Sequence, residues 1–254
     1  MTAGPSGGSP VALHDAGRSR RFVFKMSGEA LASSQNDETI DPNVLERLAK
    51  EIAEAREQLD LELAVMIGGG NIWRGTKGEG QGLDRATSDT MGMLATVINA
   101  LALQDAIERQ GQPTRVLSAV EMAEVCEPYI RRRAIRHLEK RRVVIFAAGM
   151  GNPYFTTDTS AALRAAEIEA HMLLKGTHSG VDGVYSADPK LDPNAKRYER
   201  LPFMEVVNRD LRVMDLTAIT FCKEINLPIL VFDLMRPGNL GRALAGEEIG
   251  TLIG

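Results

Sequence analysis

Three glycine-bearing segments of the chain each carry a group that could hold a phosphate. Lys25 comes just before Gly28, the run Gly68–Gly70 comes just before Arg74, and Gly149–Asp158 ends on a carboxylate beside a helical stretch. Backbone N–H groups of glycine-rich loops, helix N-termini and nearby cations bind phosphate without a covalent nucleophile. The three segments therefore favour phosphoryl transfer, which depends mainly on positioning and charge neutralisation.

Each segment also has a simpler interpretation. Lys25 would be a surface residue if its strand lay at a sheet edge, although Gly28 would let the backbone approach a ligand closely. The run Gly68–Gly70 could be a flexible surface loop. Asp158 could be the N-cap of the following helix instead of a catalytic carboxylate. Local sequence leaves these alternatives open.

Apolar runs precede all three segments and predict the strands that position them. Strands are expected at 21–26, 61–67, 114–118, 143–146, 171–175, 228–232 and 250–253. Helical spacing predicts helices at 42–55, 84–107, 131–142, 159–168, 204–207 and 215–224. This alternation predicts an α/β fold, a three-layer α/β/α sandwich with a mostly parallel central sheet. Such sheets place ligands at the carboxyl ends of their strands.

Two of these helices and one loop carry further candidate residues. The helix that begins at Asp84 is apolar around much of its circumference, so it is either deeply buried or shared with another subunit. Asp89, early in this helix, could accept hydrogen bonds from ribose hydroxyls or interact with the helix dipole. The basic run 131–142 is either a solvated face or an anion or effector site. Tyr185 could stack on a base or pack against the protein.

Composition narrows the function classes. The 254 residues, 44% of them hydrophobic, can bury a sizeable core, and a net charge of −4 gives no support for a nucleic-acid partner. No apolar stretch approaches about 18 residues, so we expect a soluble cytoplasmic protein with no membrane partner. Residues 1–19 are rich in Gly, Pro and Ser and are predicted to be a disordered tail.

Several familiar catalytic motifs are missing from the sequence. Cys126 and Cys222 are far apart and form no metal-type pair, and we expect no metal site built from protein side chains alone. The chain has no Walker-type phosphate loop, no nucleophile elbow and no dinucleotide fingerprint at a strand end. Hydrolase and dehydrogenase functions are therefore disfavoured.

Six motifs in order resemble those of the bacterial uridylate kinases, a family with the amino-acid-kinase fold. They are K-M-S-G-E-A-L from Lys25, I-G-G-G-N-I-W-R-G from Ile67, D-x-M-G-M-L-A-T from Asp89, G-N-P-Y-F-T-T-D-T from Gly151, V-D-G-V-Y-S-A-D-P from Val181 and R-V-M-D-L-T-A from Arg212. The resemblance extends from about Arg20 to Gly254. It implies MgATP-dependent conversion of UMP to UDP in pyrimidine nucleotide biosynthesis, with Mg²⁺ entering with ATP.

The resemblance also implies roles for particular residues of the ATP site. Lys25 would stabilise charge on the transferred group, and Asp158 would orient Lys25 without acting as a base. Asp215 would lie near the phosphates. The residues implied to hold ATP phosphates are Lys25, Met26, Ser27, Gly28, Gly70 and Arg74. Those implied to line the base and ribose pocket are Thr177, with Ser179 as its alternative in a lengthened segment, Tyr185 and Asp188.

The acceptor side follows from the same resemblance. UMP would be held by Gly69, by Asp89 through its ribose, and by the loop Met150, Gly151, Asn152, Pro153, Tyr154, Phe155, Thr156 and Thr157. Residues 20–170 would form the nucleoside monophosphate lobe and residues 171–254 the ATP lobe of the same domain.

Assembly and regulation are also implied by the family. The enzymes of this family are homohexamers that GTP activates and UTP inhibits. The resemblance therefore implies a homohexamer with the same regulation. Arg115 and Arg142 match positions of the GTP-binding surface, whereas Glu108 and Arg131 replace a histidine and a tryptophan there.

Two other functions compete with this interpretation. A kinase of the same fold could act on a carboxylate or carbamate, but Asp89 in the acceptor pocket would repel an acidic substrate. A nucleotide-sensing oligomer without catalysis is the second alternative, and the presence of Lys25, Arg74 and Asp158 argues against it.

Overall fold

A nine-stranded sheet forms the centre of the described part of the chain. The computed structural model describes residues 19–33, 38–211 and 213–254, so the predicted tail, apart from Ser19, lies outside the described residues. The strands are β1 (Arg20–Met26), β2 (Leu61–Ile67), β3 (Thr114–Ser118), β4 (Glu127–Pro128), β5 (Val143–Ala147), β6 (Met172–Thr177), β7 (Arg200–Leu201), β8 (Ile229–Asp233) and β9 (Thr251–Ile253).

The predicted parallel sheet is confirmed, with one antiparallel pair. The strand order is β4-β3-β5-β2-β1-β6-β8-β9-β7, and neighbouring strands run parallel except β8 and β9. Strands β5, β2, β1 and β6 are consecutive neighbours in this order. Because carboxyl ends of parallel strands lie at one edge, the loops that follow these four strands meet there.

Helices cover both faces of the sheet, as the three-layer prediction requires. They are α1 (Pro42–Gln58), α2 (Gly75–Glu79), α3 (Arg85–Arg109), α4 (Arg131–Glu139), α5 (Thr157–Glu167), α6 (Phe203–Asn208), α7 (Leu216–Glu224) and α8 (Asn239–Ala245), with one 3-10 helix at Gly28–Leu31. Apolar residues of α1, α3 and α8 form one core cluster with the sheet, and those of α4, α5, α6 and α7 form a second.

Strand β1 shows why these runs fold as central strands. Phe22 and Phe24 belong to the core cluster on one face, and Val23 between them belongs to the cluster on the other. Because successive side chains of a strand point to opposite faces, a strand covered on both sides needs apolar residues throughout. An apolar run with no alternation is therefore the expected signature.

Helix α3 is buried on one side only. By length and composition it could cross a membrane, but half of its most apolar window is buried inside the protein, which is also true of core helices in soluble proteins. Ala100 and Leu103 are fully buried, whereas Met91, Leu94 and Ile98 are 37%, 48% and 51% exposed. These three residues, here called the α3 stripe, are spaced to lie on one side of the helix.

Candidate active site

A cleft of about 390 Å³ lies at the carboxyl ends of the central strands. All three glycine-bearing segments contribute to it. Its described lining residues are Lys25, Ser27, Glu29, Gly68, Gly69, Gly70, Trp73, Arg74, Gly75, Thr76, Arg85, Asp89, Gly92, Met93, Thr96, Ala148, Gly149, Met150, Asn152, Phe155, Thr156, Thr157 and Asp158. The structure therefore brings the three segments that the sequence singles out into one shared cleft.

Two lysines and one carboxylate form a charged cluster at this cleft, in which Lys25 and Asp158 line the cleft and Lys175 pairs with Asp158. Strand β1 is central, so the edge-strand interpretation of Lys25 is wrong, and this lysine is only 5% exposed. The parallel register pairs Lys25 with Lys175 on β6. Asp158 accepts from Lys25 Nζ at 2.7 Å and from Lys175 Nζ at 2.6 and 2.9 Å. One carboxylate thus holds both ammonium groups at the end of the sheet.

The three charges shift one another's pKa values. Burial opposes ionisation of Asp158, but the positive charges of Lys25 and Lys175 outweigh it and lower the pKa of Asp158 to about 2. Burial followed by the charge of Lys25 lowers the pKa of Lys175 to about 8. Burial also acts against the charged form of Lys25, but Asp158 prevails and raises the pKa of Lys25. At neutral pH the triad therefore carries a net positive charge.

The start of α5 brings Asp158 to the lysines. Its N-cap is Thr156, whose hydroxyl oxygen accepts from the N–H groups of Asp158 and Thr159, so the interpretation of Asp158 as the cap is wrong. Asp215 is the N-cap of α7, and its carboxylate also accepts from the hydroxyls of Thr156 and Thr159. Asp215 therefore ties α7 to the first turn of α5, beside the predicted phosphate position.

Close packing requires glycine in the first two loops. A Cβ atom on Gly28 would lie 2.6 Å from the Gly68 carbonyl oxygen and 3.0 Å from Nδ2 of Asn99, which donates to that carbonyl at 2.8 Å. A Cβ atom on Gly69 would lie 2.7 Å from the carbonyl oxygen of Gly92 on α3. Gly68 and Gly69 are buried, so the flexible-loop interpretation of this segment is wrong.

Asp89 faces the cleft from the second turn of α3. The helix is capped by Asp84, so Asp89 is not its cap or first-turn residue. Its carboxylate accepts from Arg85 Nε at 2.9 Å and from the N–H of Tyr154 at 2.8 Å. The side chain therefore connects α3 to the loop after β5, where the acceptor was predicted.

The loop after β5 contributes unevenly to the cleft. Five of its eight predicted residues line it, namely Met150, Asn152, Phe155, Thr156 and Thr157, whereas Gly151, Pro153 and Tyr154 do not. Tyr154 is 67% exposed and has a positive φ of 71°. A Cβ atom on Gly151 would lie 2.9 Å from the carbonyl oxygen of Ala119, so this glycine lets the loop pass close to β3.

The predicted base-pocket residues lie away from the cleft lining, as do Met26 and Gly28, which are buried. Thr177 Oγ1 donates to the carbonyl oxygen of Val181 at 2.6 Å, and the Tyr185 hydroxyl donates to Asp182 at 2.6 Å. Asp188 is exposed and accepts from a backbone N–H, and Ser179 is exposed as well. Thr177 and Tyr185 thus brace the loop after β6.

The two arginines predicted to bind GTP belong to one network of ion pairs and hydrogen bonds. Arg115 pairs with Glu108 at 3.1 Å and lies 3.9 Å from Glu127. Glu127 contacts His137 Nε2 at 3.2 Å, and Nδ1 of His137 lies 3.0 Å from Arg142 Nη1. The structure therefore brings Arg115 and Arg142 together through one carboxylate and one imidazole.

Comparison with known proteins places this geometry in a family. A family model described as the amino acid kinase family matches residues 20–233. The chain belongs to the amino acid kinase family. That assignment agrees with the parallel sheet and with a phosphoryl-transfer site made of glycine loops and cations.

Three solved structures resemble the chain along nearly its whole length. A UMP kinase from Bacillus anthracis is 38% identical, with a TM-score of 0.88, and the match covers 93% of this chain and 97% of that one. A UMP kinase from Ureaplasma parvum is 39% identical, with a TM-score of 0.88 and coverage of 93% and 99%. A uridylate kinase from Archaeoglobus fulgidus is 30% identical, with a TM-score of 0.68 and coverage of 92% and 99%.

Sequence reasoning missed several residues of this kinase site. Lys175 gave the same signal as Lys25, a lysine near the carboxyl end of an apolar strand, but it was treated only as part of a strand. Thr96 accepts from the Ala148 N–H at 2.6 Å, and the fully buried Asn99 holds the second glycine loop. The signal that could have revealed these two contacts is the presence of the polar residues Thr96 and Asn99 within the apolar helix α3.

Proposed function

We propose that this protein is a UMP kinase, a phosphotransferase that moves the γ-phosphate of ATP to UMP and yields UDP. The observation that carries the proposal is that Lys25 and Asp158 line a cleft shared by all three glycine-bearing segments, and that Lys175 pairs with the same Asp158 carboxylate. Phosphoryl transfer needs positive charge around the migrating group, and buried ammonium groups supply it with little reorganisation. Identity of 38% and 39% to two UMP kinases supports the choice of acceptor.

The lysines and the carboxylate have different roles in the proposed reaction. Lys25 and Lys175 neutralise charge that develops on the transferred phosphoryl group and the leaving ADP oxygen. Asp158 orients both ammonium groups and does not remove a proton, because its pKa of about 2 makes it a very weak base. The phosphate of UMP needs no base, since a phosphate monoester is largely ionised near neutral pH.

The donor nucleotide is proposed to bind across the first two glycine loops. Ser27, Gly70 and Arg74 would contact its phosphates, and the N–H groups beside Gly28 would approach them closely. Thr177, Tyr185 and Asp188 would lie at its base and ribose. The base and ribose of the donor would thus lie on residues 171–254 and the acceptor on residues 20–170, as two lobes of one domain.

UMP is proposed to occupy the α3 side of the cleft. Asp89 would accept hydrogen bonds from the ribose hydroxyls, and Gly69 with the loop at 150–157 would enclose the phosphate and base. A carboxylate in this position favours hydroxyl groups over the acidic acceptors used by other kinases of this fold, because like charges repel. Asp215, through Thr156, would keep the start of α5 aligned beside the phosphates.

Magnesium is proposed to enter bound to ATP. Among residues 19–33, 38–211 and 213–254, no group of three or more His, Cys, Asp or Glu side chains could hold a metal ion. Mg²⁺ often takes most of its ligands from nucleotide phosphates and water, with few protein carboxylates, so the cleft suits such delivery. The ion would neutralise phosphate charge together with the two lysines.

The active form is proposed to be a cytoplasmic homohexamer regulated by nucleotides. The α3 stripe supports self-association, because a row of exposed apolar side chains on a long helix is suited to burial against another subunit. GTP activation would act at Arg115 and Arg142, and UTP would inhibit. The pairing of Arg115 with Glu108 means that a GTP phosphate would have to compete with that carboxylate.

A coupled assay of ADP release tests the proposed activity. The protein is supplied with MgATP and, in separate reactions, with UMP, CMP, aspartate or acetylglutamate, each with and without GTP. We expect turnover with UMP well above that with the other acceptors. Turnover with an amino acid alone would refute the proposal, and nucleotide binding without any turnover would indicate a sensor instead of an enzyme.

Substitution of Asp89 tests the acceptor site. Asp89→Asn should raise the KM for UMP roughly tenfold and the KM for ATP much less, because a charge-assisted hydrogen bond to the ribose is lost. Asp105→Asn is the matched control, since Asp105 lies on the same helix with its side chain 69% exposed. Equal increases in the KM for UMP and the KM for ATP would show that Asp89 is not part of the UMP site.

A further inference from the structure

Glu29 points into the cleft from the 3-10 helix that follows Gly28. Its carboxylate accepts a hydrogen bond from Ser27 Oγ and forms an ion pair with Arg74. The side chain is 21% exposed and belongs to the cleft lining. Sequence reasoning and the assignment of phosphate contacts gave this residue no role.

The same carboxylate lies against the backbone of Gly70. A Cβ atom on Gly70 would collide with the Glu29 carboxylate, so only glycine permits this approach. The Ser27 hydroxyl, the Arg74 guanidinium and the backbone of Gly70 thus surround the Glu29 carboxylate. These are the donor types that bind phosphate oxygens.

The Glu29 side chain is anionic at neutral pH. Burial works against its ionisation, but hydrogen bonds from Ser27, from its own backbone N–H and from Arg74 prevail and lower its pKa. Burial disfavours the charged form of Lys25, but Asp158 and, to a smaller extent, the negative charge of Glu29 raise the pKa of this lysine, so the Glu29 carboxylate acts on Lys25. An internal anion therefore fills the position that the proposed function gives to the donor phosphates.

We propose that Glu29 is a built-in competitor of the donor phosphates, which must displace its carboxylate from Ser27, Gly70 and Arg74 in order to bind. The inference rests on the proposed function and adds to it the residue that sets phosphate affinity. Two anions cannot share these donors without strong repulsion at such short range. A polyphosphate with several charges can displace the carboxylate, whereas a weaker anion cannot, so Glu29 makes the site selective for polyphosphates.

Titration calorimetry with inorganic tripolyphosphate in metal-free buffer tests this competition in the full chain. Glu29→Gln keeps the size and an acceptor oxygen but removes the charge, and it should lower the Kd for tripolyphosphate roughly tenfold, since a like charge at close range is removed. Glu57→Gln is the matched control, because Glu57 is exposed on α1, and its Kd should equal that of the wild type. An unchanged or higher Kd in Glu29→Gln overturns the inference.

A double-mutant cycle separates competition from a purely structural role. Arg74→Gln should weaken tripolyphosphate binding by a larger factor in the Glu29→Gln background than in the wild type, because Glu29 no longer shares the guanidinium. Equal factors in both backgrounds would overturn the inference. If Glu29→Gln does not fold, Glu29→Asp supplies the second variant: it keeps the charge, shortens the reach, and should bind tripolyphosphate more tightly than the wild type.

The outcomes distinguish this inference from the proposed function. Wild-type protein that phosphorylates UMP, together with Glu29→Gln that binds tripolyphosphate no better, refutes only the competition. Wild-type protein and Glu29→Gln that both fail to bind tripolyphosphate, with no phosphorylation of UMP, refute the donor site and the inference together.

Discussion

Lys175 shows how much the chemistry depends on single side chains. It shares Asp158 with Lys25, and its pKa of about 8 places its loss of charge within an accessible pH range. Two adjacent buried lysines repel each other, so the carboxylate between them is needed to keep both protonated near neutral pH. The number of positive charges at the reacting phosphate therefore depends on pH.

The first prediction concerns this lysine. Wild-type kcat/KM for ATP should fall as pH rises above about 8, because Lys175 then loses its proton and its charge. Lys175→Gln should lower kcat roughly 100-fold, the usual loss for one electrostatic donor. The kcat/KM of this variant for ATP should not fall as pH rises above about 8. Lys223→Gln, at an exposed position of α7, is the control. Full activity of Lys175→Gln would exclude the charge role.

A second prediction at this scale concerns the carboxylate. Asp158→Asn leaves two buried ammonium groups without their counterion and should reduce the free energy of unfolding by ~3 kcal/mol near pH 7. In this variant the native lysines bind protons more weakly than those of the unfolded chain. Stability should therefore recover as pH rises toward the normal lysine pKa. Urea unfolding of Asp158→Asn and Asp105→Asn, near pH 7 and near the normal lysine pKa, measures the free energy of unfolding. A loss of stability that does not depend on pH would contradict the explanation.

At the scale of elements, the site depends on the spacing between β1, β2 and α3. Gly28 follows β1, Gly68 follows β2 and Asn99 lies on α3; Asn99 Nδ2 donates to the Gly68 carbonyl oxygen at 2.8 Å, and a Cβ atom on Gly28 would lie 2.6 Å from that oxygen. A glycine is needed where one loop crosses the carbonyl of another, because no side chain fits between them. The first two glycine loops thus form one packed unit.

The third prediction tests this close packing. Gly28→Ala should separate the loops and reduce kcat roughly 100-fold, because small misplacements of catalytic groups are costly. Gly241→Ala is the matched control: no atom lies within 4 Å of its added methyl, and it should stabilise α8 by up to ~1 kcal/mol. Activity and urea unfolding should be measured for both variants. Wild-type kcat in Gly28→Ala would show that the loops tolerate separation.

At the scale of the whole molecule, the segments proposed to bind the acceptor, the phosphates and the base follow one another along one edge of the sheet. Strand β5 leads to the predicted acceptor loop, β2 leads to the second glycine loop, β1 and β6 carry the lysines, and β8 lies beyond them toward the predicted base pocket. The α3 stripe lies on the side of α3 that does not pack against the core. The cleft lining and the α3 stripe therefore use different residues of α3.

The fourth prediction concerns assembly. Ile98→Asp places a charge in the middle of the α3 stripe and should shift the protein to smaller species, because a buried unpaired carboxylate is strongly unfavourable at an interface. Leu191→Asp is the control, since Leu191 is an isolated residue that is 83% exposed. Size-exclusion chromatography with light scattering measures the mass. An unchanged mass for Ile98→Asp would show that the α3 stripe is not part of the subunit interface.

Local sequence predicted most of the fold correctly. The apolar runs located the described longer strands, and the helical spacing located the described longer helices, because burial on both faces of a sheet leaves an unbroken apolar pattern. The two-residue strands β4 and β7 and the seven-residue helix α8 were not predicted. Such short elements form through tertiary contacts, and their own sequences carry too little periodicity to reveal them.

The sequence by itself located the glycine-bearing segments that line the cleft, because glycines, lysines and helix starts are local features. Only the tertiary structure decided that Lys25 lies at the centre of the sheet, that Lys175 is its partner and that Thr156, not Asp158, caps α5. Strand order and register bring together residues far apart in the chain, and no local pattern specifies either one. The electrostatics of the site follow from those long-range pairings.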